Sequence, residues 1–293
     1  ILAEIADGKH YEPTKMLLSN WLDLWLKEYS CDKKYSTLKG YRASINKHIK
    51  PALGNVYLEK ITPMMVQMFY NELCKPDENG KVHLDFVLGT HSHSDHLGGF
   101  DTILADPDVT VDKAYLKKYD ASKISENEIA EWDNQEVYDQ MVEALQAKNV
   151  PIVAEPSDQP FRFGNLTLTM VNTTDPVSKK KVGENDQSLG VLVETNGTRV
   201  FLAGDMDDLT GDETRLAPQI GKVDLLKVGH HGCEDSSTPA FLQTLMPKIC
   251  VFTTGEYSHN VQSRERIRNI CGAAMYFTAR EGGVLALLGQ NGD

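Results

Sequence analysis

The sequence predicts an α+β chain in two parts, a small all-helical unit followed by a larger layered unit of strands and helices. Three observations carry that expectation. Apolar residues recur at helical spacing through the first 80 positions. Beyond them, short β-branched runs succeed one another, several ending next to aspartate or histidine. Charge also divides the chain: residues 1–80 carry 11 Lys+Arg against 10 Asp+Glu, whereas the remainder carries 19 against 32.

The helical elements can be placed in order. Between Met16 and Tyr29, Leu17, Leu18, Trp21, Leu22, Leu24, Trp25, Leu26 and Tyr29 give a helix with a wide apolar face. Ser36 can cap a second helix carrying Leu38, Tyr41, Ile45 and Ile49, which should stop before Pro51. Thr62-Pro63 sets a capping hydroxyl before a proline at the first helical position and opens a third helix through Met65, Val66, Phe69, Tyr70 and Leu73. On the second helix Lys39, Arg42, Lys47 and Lys50 alternate with the apolar stripe, either as a solvated face or as a surface for nucleic acid phosphates.

Composition excludes several classes. At 293 residues, 25% charged and 41% apolar, the chain is long enough for two ordinary globular domains and too apolar for a disordered one. No stretch approaches the ~20 consecutive apolar residues of a membrane span. The start, Ile1-Leu2-Ala3-Glu4-Ile5, lacks the pattern of a secretory signal and an initiating methionine, so the chain reads as a fragment. Five cysteines without C-x-x-C spacing argue against a disulfide framework or a thiolate zinc site, and a reducing cytoplasm is the expected compartment.

In the second part three histidines fall within one window, His91-Ser92-His93-Ser94-Asp95-His96, after the apolar run Phe86-Val87-Leu88. An H-x-H pair leaving a strand can direct two imidazoles at one ion, while Asp95 and His96, one turn on, can reach a second. Such a set could not be buried without partners. Three further runs end in possible ligands: Thr198–Leu202 leads to Asp205, Val223–Val228 to His230 and His231, and Ile249–Thr254 towards His259. If these runs are neighbouring strands, their carboxyl ends gather the ligands along one sheet edge. Asp235-Ser236-Ser237-Thr238-Pro239 offers a hydroxyl-rich helix start, a seat for phosphate or a plain cap.

These strings resemble two known families. Leu18–Leu26, Ser36–Arg42, His48–Gly54 and Val66–Leu73 look like the SAM-like core-binding domain of phage-type tyrosine recombinases, over residues 14–75. That resemblance implies duplex DNA as a partner, gripped through phosphates by Lys39, Arg42, Lys47 and Lys50. The recombinase catalytic half has no counterpart downstream, so recombination is not expected. Thr90–Gly99, Leu202–Asp205 and Lys227–Gly232 resemble the metallo-β-lactamase superfamily, in the branch containing hydrolase domains of DNA-uptake channel proteins. The fold implied is an αββα metallo-β-lactamase-type sandwich, residues 84–293, joined through a linker at 76–83 and preceded by a remnant at 1–13. It would lack its first strands, because only Val82 to Gly89 precede the first motif.

Carried across by motif, His91 and His93 would bind one Zn2+, Asp95, His96 and His259 a second, and Asp205 would bridge. Mn2+ or Fe2+ are alternatives. His230 and His231 would complete a coordination sphere or touch substrate, so Asp95, His230 and His231 are the expected catalytic residues. Asn185 and Ser188 stand where many members carry a further histidine. The function implied is zinc-dependent hydrolysis of a phosphodiester or nucleic acid. The competing expectation is a DNA-binding fragment whose metal half is inactive.

Overall fold

The computed structural model describes residues 16–29, 41–42, 45–73, 81–174, 183–281, 283–286 and 288, in two units parted between Gly80 and Lys81. In the first unit α1 (Leu18–Leu24) runs on into a wider turn, Trp25–Tyr29. Its aromatic residues supply much of the packing: Trp21 lies 5.6 Å from Tyr29 and Trp25 lies 5.4 Å from Tyr41, both tilted. Ile45 is buried.

The second helical stretch does not stop before Pro51. The turn Ile45–Ile49 continues into α2 (Lys50–Leu53), with Pro51 in its first turn, where a missing N–H costs little. Ser36, Leu38 and Lys39 lie outside the described residues. α3 (Pro63–Leu73) starts where the Thr62-Pro63 pair places it, and Thr62 Oγ1 accepts the Met65 N–H at 3.2 Å.

The second unit opens with β1 (Val82–Leu84), β2 (Val87–Gly89), α4 (Ser94–Leu97), α5 (Phe100–Ala105), β3 (Val109–Val111) and β4 (Ala114–Leu116). α6 (Glu126–Glu131), α7 (Asn134–Ala147) and β5 (Ile152–Val153) complete this half. β2, β4 and β5 form a parallel three-stranded sheet, and β1 pairs separately with β3. Leu97, Leu104, Leu116, Met141 and Leu145 fill the space between this sheet and α5 and α7.

A seven-stranded sheet follows, made of β6 (Phe161–Phe163), β7 (Leu166–Val171), β8 (Gly190–Thr195), β9 (Thr198–Leu202), β10 (Leu225–Lys227), β11 (Ile249–Phe252) and β12 (Ala274–Phe277). β6 to β9 are antiparallel neighbours, whereas β9, β10, β11 and β12 run parallel. Alternation sorts the side chains. Phe201, Leu226, Cys250 and Phe252 face α8 (Asp212–Ile220) and α9 (Pro239–Leu245). Val200, Leu225 and Val251 occupy the opposite face. Phe86 and Tyr115 meet Phe161 and Phe163 across the two sheets at centroid separations of 5.5 to 6.3 Å.

The unit is thus a helix-flanked structure on two main sheets of seven and three strands, with β1 and β3 paired apart from them. Leu202 and Tyr276, on the face of the large sheet away from α8 and α9, are each 41% exposed. Among the described residues no helix is long and apolar enough to cross a membrane.

Candidate metal centre

Parallel pairing of β9, β10 and β11 in register brings the carboxyl ends of all three strands together. Asp205 follows β9, His231 follows β10, and Thr253 follows β11 directly. Asp95 and His96 arrive from α4, just after β2. One atom each of Asp95, His96, Asp205 and His231 lies within 4.8 Å of the others. His231 Nε2 stands 3.1 Å from Asp95 Oδ2 and 3.2 Å from Asp205 Oδ2, while His96 Nε2 stands 3.1 Å from Asp205 Oδ2.

That last approach is off the line of a hydrogen bond, so buried His96 Nε2 has no hydrogen-bond partner among the described residues. Two carboxylates and two imidazoles turned towards one another, one nitrogen left without a hydrogen bond, fit a divalent cation better than they fit one another.

Two of the donors are held from behind. Lys227 lies on β10 two residues beyond Leu225 and on the same face, and its Nζ donates to Asp205 Oδ1 at 3.2 Å and to the Gly204 carbonyl at 2.6 Å. That leaves Oδ2 of Asp205 for the cluster. His231 Nδ1 rests against Thr253, 3.2 Å from its Oγ1. Burial opposes ionisation of Asp205, yet His231, His96 and Lys227 outweigh it and hold the carboxyl far below the usual range. Burial pulls the Lys227 ammonium down against the pull of Asp205.

His91 and His93 form a second pair. His91 Nε2 lies 3.1 Å from His93 Nδ1, close to the spacing of two donors each ~2.1 Å from one ion. His91 Nδ1 faces the hydroxyls of Thr90 at 3.0 Å and Ser188 at 3.2 Å. Burial, then the nearby His96, keep its imidazole neutral well below the ordinary value, the state a ligand needs. His93 stacks on Trp132 at 4.9 Å.

The two adjacent histidines after β10 take different roles. Both adopt left-handed backbone, with φ of 44° at His230 and 50° at His231, a conformation that costs ~1–3 kcal/mol per residue. The twist sends His231 into the cluster and His230 away from it. His230 Nδ1 pairs with buried Asp207 at 3.3 Å, and Asn185 Nδ2 lies 3.0 Å from His230 Nε2. Burial would lower this imidazole, but Asp207 and then Cys233 outweigh it and push it up to about 10. Gly229 permits the approach, since a Cβ there would collide with the Met206 carbonyl.

The structure does not bring His259 to the cluster. It is exposed, sits on the short turn Ser258–Asn260, and stacks on Tyr257 at 5.6 Å. The hydroxyl-rich start of α9 is not open to a phosphate either. The Ser237 and Thr238 amides donate to the Glu213 carboxylate at 2.6 and 2.8 Å, and burial pushes Glu213 up to about 7. In the helical unit Lys50 is paired with Asp23 at 2.6 Å, Arg42 is exposed, and Lys47 lies on the turn Ile45–Ile49. Residues that motif reading assigned no role include Lys227, Asp207 and Glu128. Lys227 stood inside a quoted motif, but Glu128 lies 35 residues from His93, with no local pattern to mark it.

Comparison with known proteins places this geometry in a class. Residues 58–239 match the beta-lactamase superfamily domain, and residues 17–74 match the phage integrase N-terminal SAM-like domain. The chain belongs to the beta-lactamase superfamily and has the metallo-β-lactamase fold, and its N-terminal part matches an integrase-type SAM-like domain. Its relatives include ComE operon protein 3 of Bacillus subtilis, 27% identical over 60% of this chain and 21% of that one. Competence protein ComA of Neisseria gonorrhoeae is 24% identical over 71% of this chain and 27% of that one. Recombination protein 2 of Haemophilus influenzae is 31% identical over 26% of this chain and 9% of that one. The chain therefore spans about a quarter or less of the curated relatives it matches. Among solved structures it is similar to the metallo-beta-lactamase fold protein YhfI from Bacillus subtilis, with a TM-score of 0.44, 12% identity, and coverage of 72% of this chain and 79% of that one.

Proposed function

We propose that the second unit, residues 84–293, hydrolyses phosphodiesters, and that residues 14–75 hold it to DNA. The observation that carries this reading is the convergence of Asp95, His96, Asp205 and His231 within 4.8 Å, with His96 Nε2 left without a hydrogen bond among the described residues. These four would hold one divalent cation and His91 with His93 another. Zn2+ suits the donor set, and Mn2+ or Fe2+ share its preferences. When bound, such ions supply hydroxide near neutral pH and charge opposite a developing phosphoryl oxyanion.

The protein's own side chains do the rest. Lys227 and Thr253 fix the directions of Asp205 and His231. Asp95, the most exposed member, is reachable by substrate. His230, paired with buried Asp207 and turned away from the donors, would hold the turn that presents His231. Relatives named for competence and recombination favour nucleic acid as that ester. In the first unit Arg42, with Lys39 and Lys47, would contact phosphates, while Lys50 is neutralised by Asp23. The gathered donors favour this reading over an inactive metal half.

The test is hydrolysis of bis(p-nitrophenyl) phosphate and of DNA by the chelated, then Zn2+- or Mn2+-reloaded, chain, with metal content measured in parallel. Asp205→Ala and His93→Ala should abolish turnover and lower the metal content. A chain that retains no metal, or variants that turn over normally, would overturn the proposal.

A further inference from the structure

Several contacts converge on Glu128, in α6. Its Oε1 accepts from His93 Nε2 at 3.0 Å, Asn134 Nδ2 at 2.9 Å and the Glu184 N–H at 2.8 Å. The root of the side chain is fixed as well, because the Glu128 N–H donates to the helix-capping Ser125 Oγ at 3.3 Å. Gly183 passes so close that a Cβ there would lie 2.7 Å from Glu128 Oε2. The partner Glu184 in turn accepts the Ser92 N–H at 3.0 Å through its own Oε1. The segment carrying His91 and His93 is therefore gripped twice, at Ser92 by Glu184 and at His93 by Glu128.

The consequence concerns one proton. An ionised carboxylate can only accept, so the proton of a neutral His93 ring sits on Nε2 and its lone pair on Nδ1. Nδ1 is the nitrogen that lies 3.1 Å from His91 Nε2. His91 can take the complementary form, since its Nδ1 faces two hydroxyls able to accept a proton and its Nε2 then carries the lone pair.

We infer that Glu128 is a positioning residue that sets the tautomer of His93 and so presents Nδ1, together with His91 Nε2, to a single divalent cation. The inference rests on the proposed reading of His91 and His93 as ligands, and it goes beyond that reading by naming the residue that makes His93 competent. Glu128 touches neither ion nor substrate. It acts through the imidazole, in the way outer-shell carboxylates tune ligand histidines.

The experiment uses the full chain. 15N NMR of metal-free protein reads the His93 tautomer, and competition with a chromophoric chelator reads Zn2+ affinity. Wild type should show the Nε2–H form. Glu128→Ala should lose that preference and bind the weaker Zn2+ ~10–100-fold less tightly. Glu128→Gln should keep the tautomer, since an amide oxygen accepts the same proton, and recover most of the affinity.

Gly183→Ala is the variant that retains the carboxylate yet displaces it. Position 183 has φ −82°, which suits alanine, so the added methyl acts on the Glu128 head group. It should reproduce the Glu128→Ala tautomer change with the unfolding midpoint held near wild type. The inference is overturned if Glu128→Ala leaves His93 in the Nε2–H form with unchanged Zn2+ affinity. Failure of the ligand reading looks different: His93→Ala would bind Zn2+ as wild type does while the tautomer still follows Glu128. The role assigned to Glu128 would then be lost and only its hydrogen bond would stand.

Discussion

Among the described residues of the second unit, two groups of histidine and aspartate bring one donor atom from each residue within 4.8 Å of the others. One is Asp95, His96, Asp205 and His231; the other is His83, Asp85 and Asp112, at the paired ends of β1 and β3. In the second group the His83 and Asp112 side chains are 55% and 63% exposed, and their contact is a solvated ion pair at 3.4 Å. In the first, Asp205 is 2% exposed and Asp205 and His231 each have a support behind them, while the Asp95 side chain is 55% exposed. Water around His83 and Asp112 screens their attraction, although His83 Nδ1 also lies 3.1 Å from Thr110 Oγ1. Proximity alone therefore does not define a site. Burial raises the cost of leaving the donors without a cation, and Lys227 and Thr253 fix their directions in advance.

The sharpest way to break this comparison is to remove its centre. Asp205→Ala should cut phosphodiester hydrolysis by more than ~100-fold, beyond what loss of a supporting residue costs, with metal content falling in parallel. Next, His231→Ala should lose metal, whereas His230→Ala should keep it. The latter strands the buried Asp207 carboxylate and should lower unfolding stability by about 3 kcal/mol in urea titration. Equal metal loss in both would erase the distinction drawn between the adjacent histidines.

Lys227→Met frees Asp205 Oδ1 and should weaken metal affinity by about tenfold. Glu213 supplies a pH test away from the ions. Its folded pKa of about 7 lies above the ordinary 4.5, so the folded chain holds this proton to higher pH than the unfolded chain does. Its contribution to stability is therefore lost as pH rises from about 4.5 to 7 and is flat above, with a slope of at most ~1.4 kcal/mol per pH unit. Glu213→Gln should remove that part of the slope, read from unfolding midpoints across the interval. The smallest effect belongs to His83→Ala with Asp112→Ala, which should leave the tightly held metal unchanged.

Much of this arrangement was legible in the chain. The ends of β9 and β10 and the His91–His96 window were marked by apolar runs stopping at donor residues; β9 and β10 are parallel neighbours, while β2, before the window, belongs to the smaller sheet. The Thr62-Pro63 helix start was also readable, because a cap acts within three residues of its own position. Other contacts were not. His259, seven positions past the end of β11, stacks on Tyr257, while Thr253, immediately after the strand, meets the cluster. The amides at the start of α9 belong to Glu213, 24 and 25 residues earlier in sequence, which no local rule could supply.

The sequence by itself determined which segments become helix or strand and which donor types end the strands, since those follow from periodicity and capping over a few residues. Only the tertiary structure decided which of His230 and His231 turns inward, which lysine holds Asp205, and which glutamate orients His93. Those outcomes depend on left-handed backbone at two consecutive residues and on buried groups from distant segments finding partners, and both are settled by packing rather than by spacing along the chain.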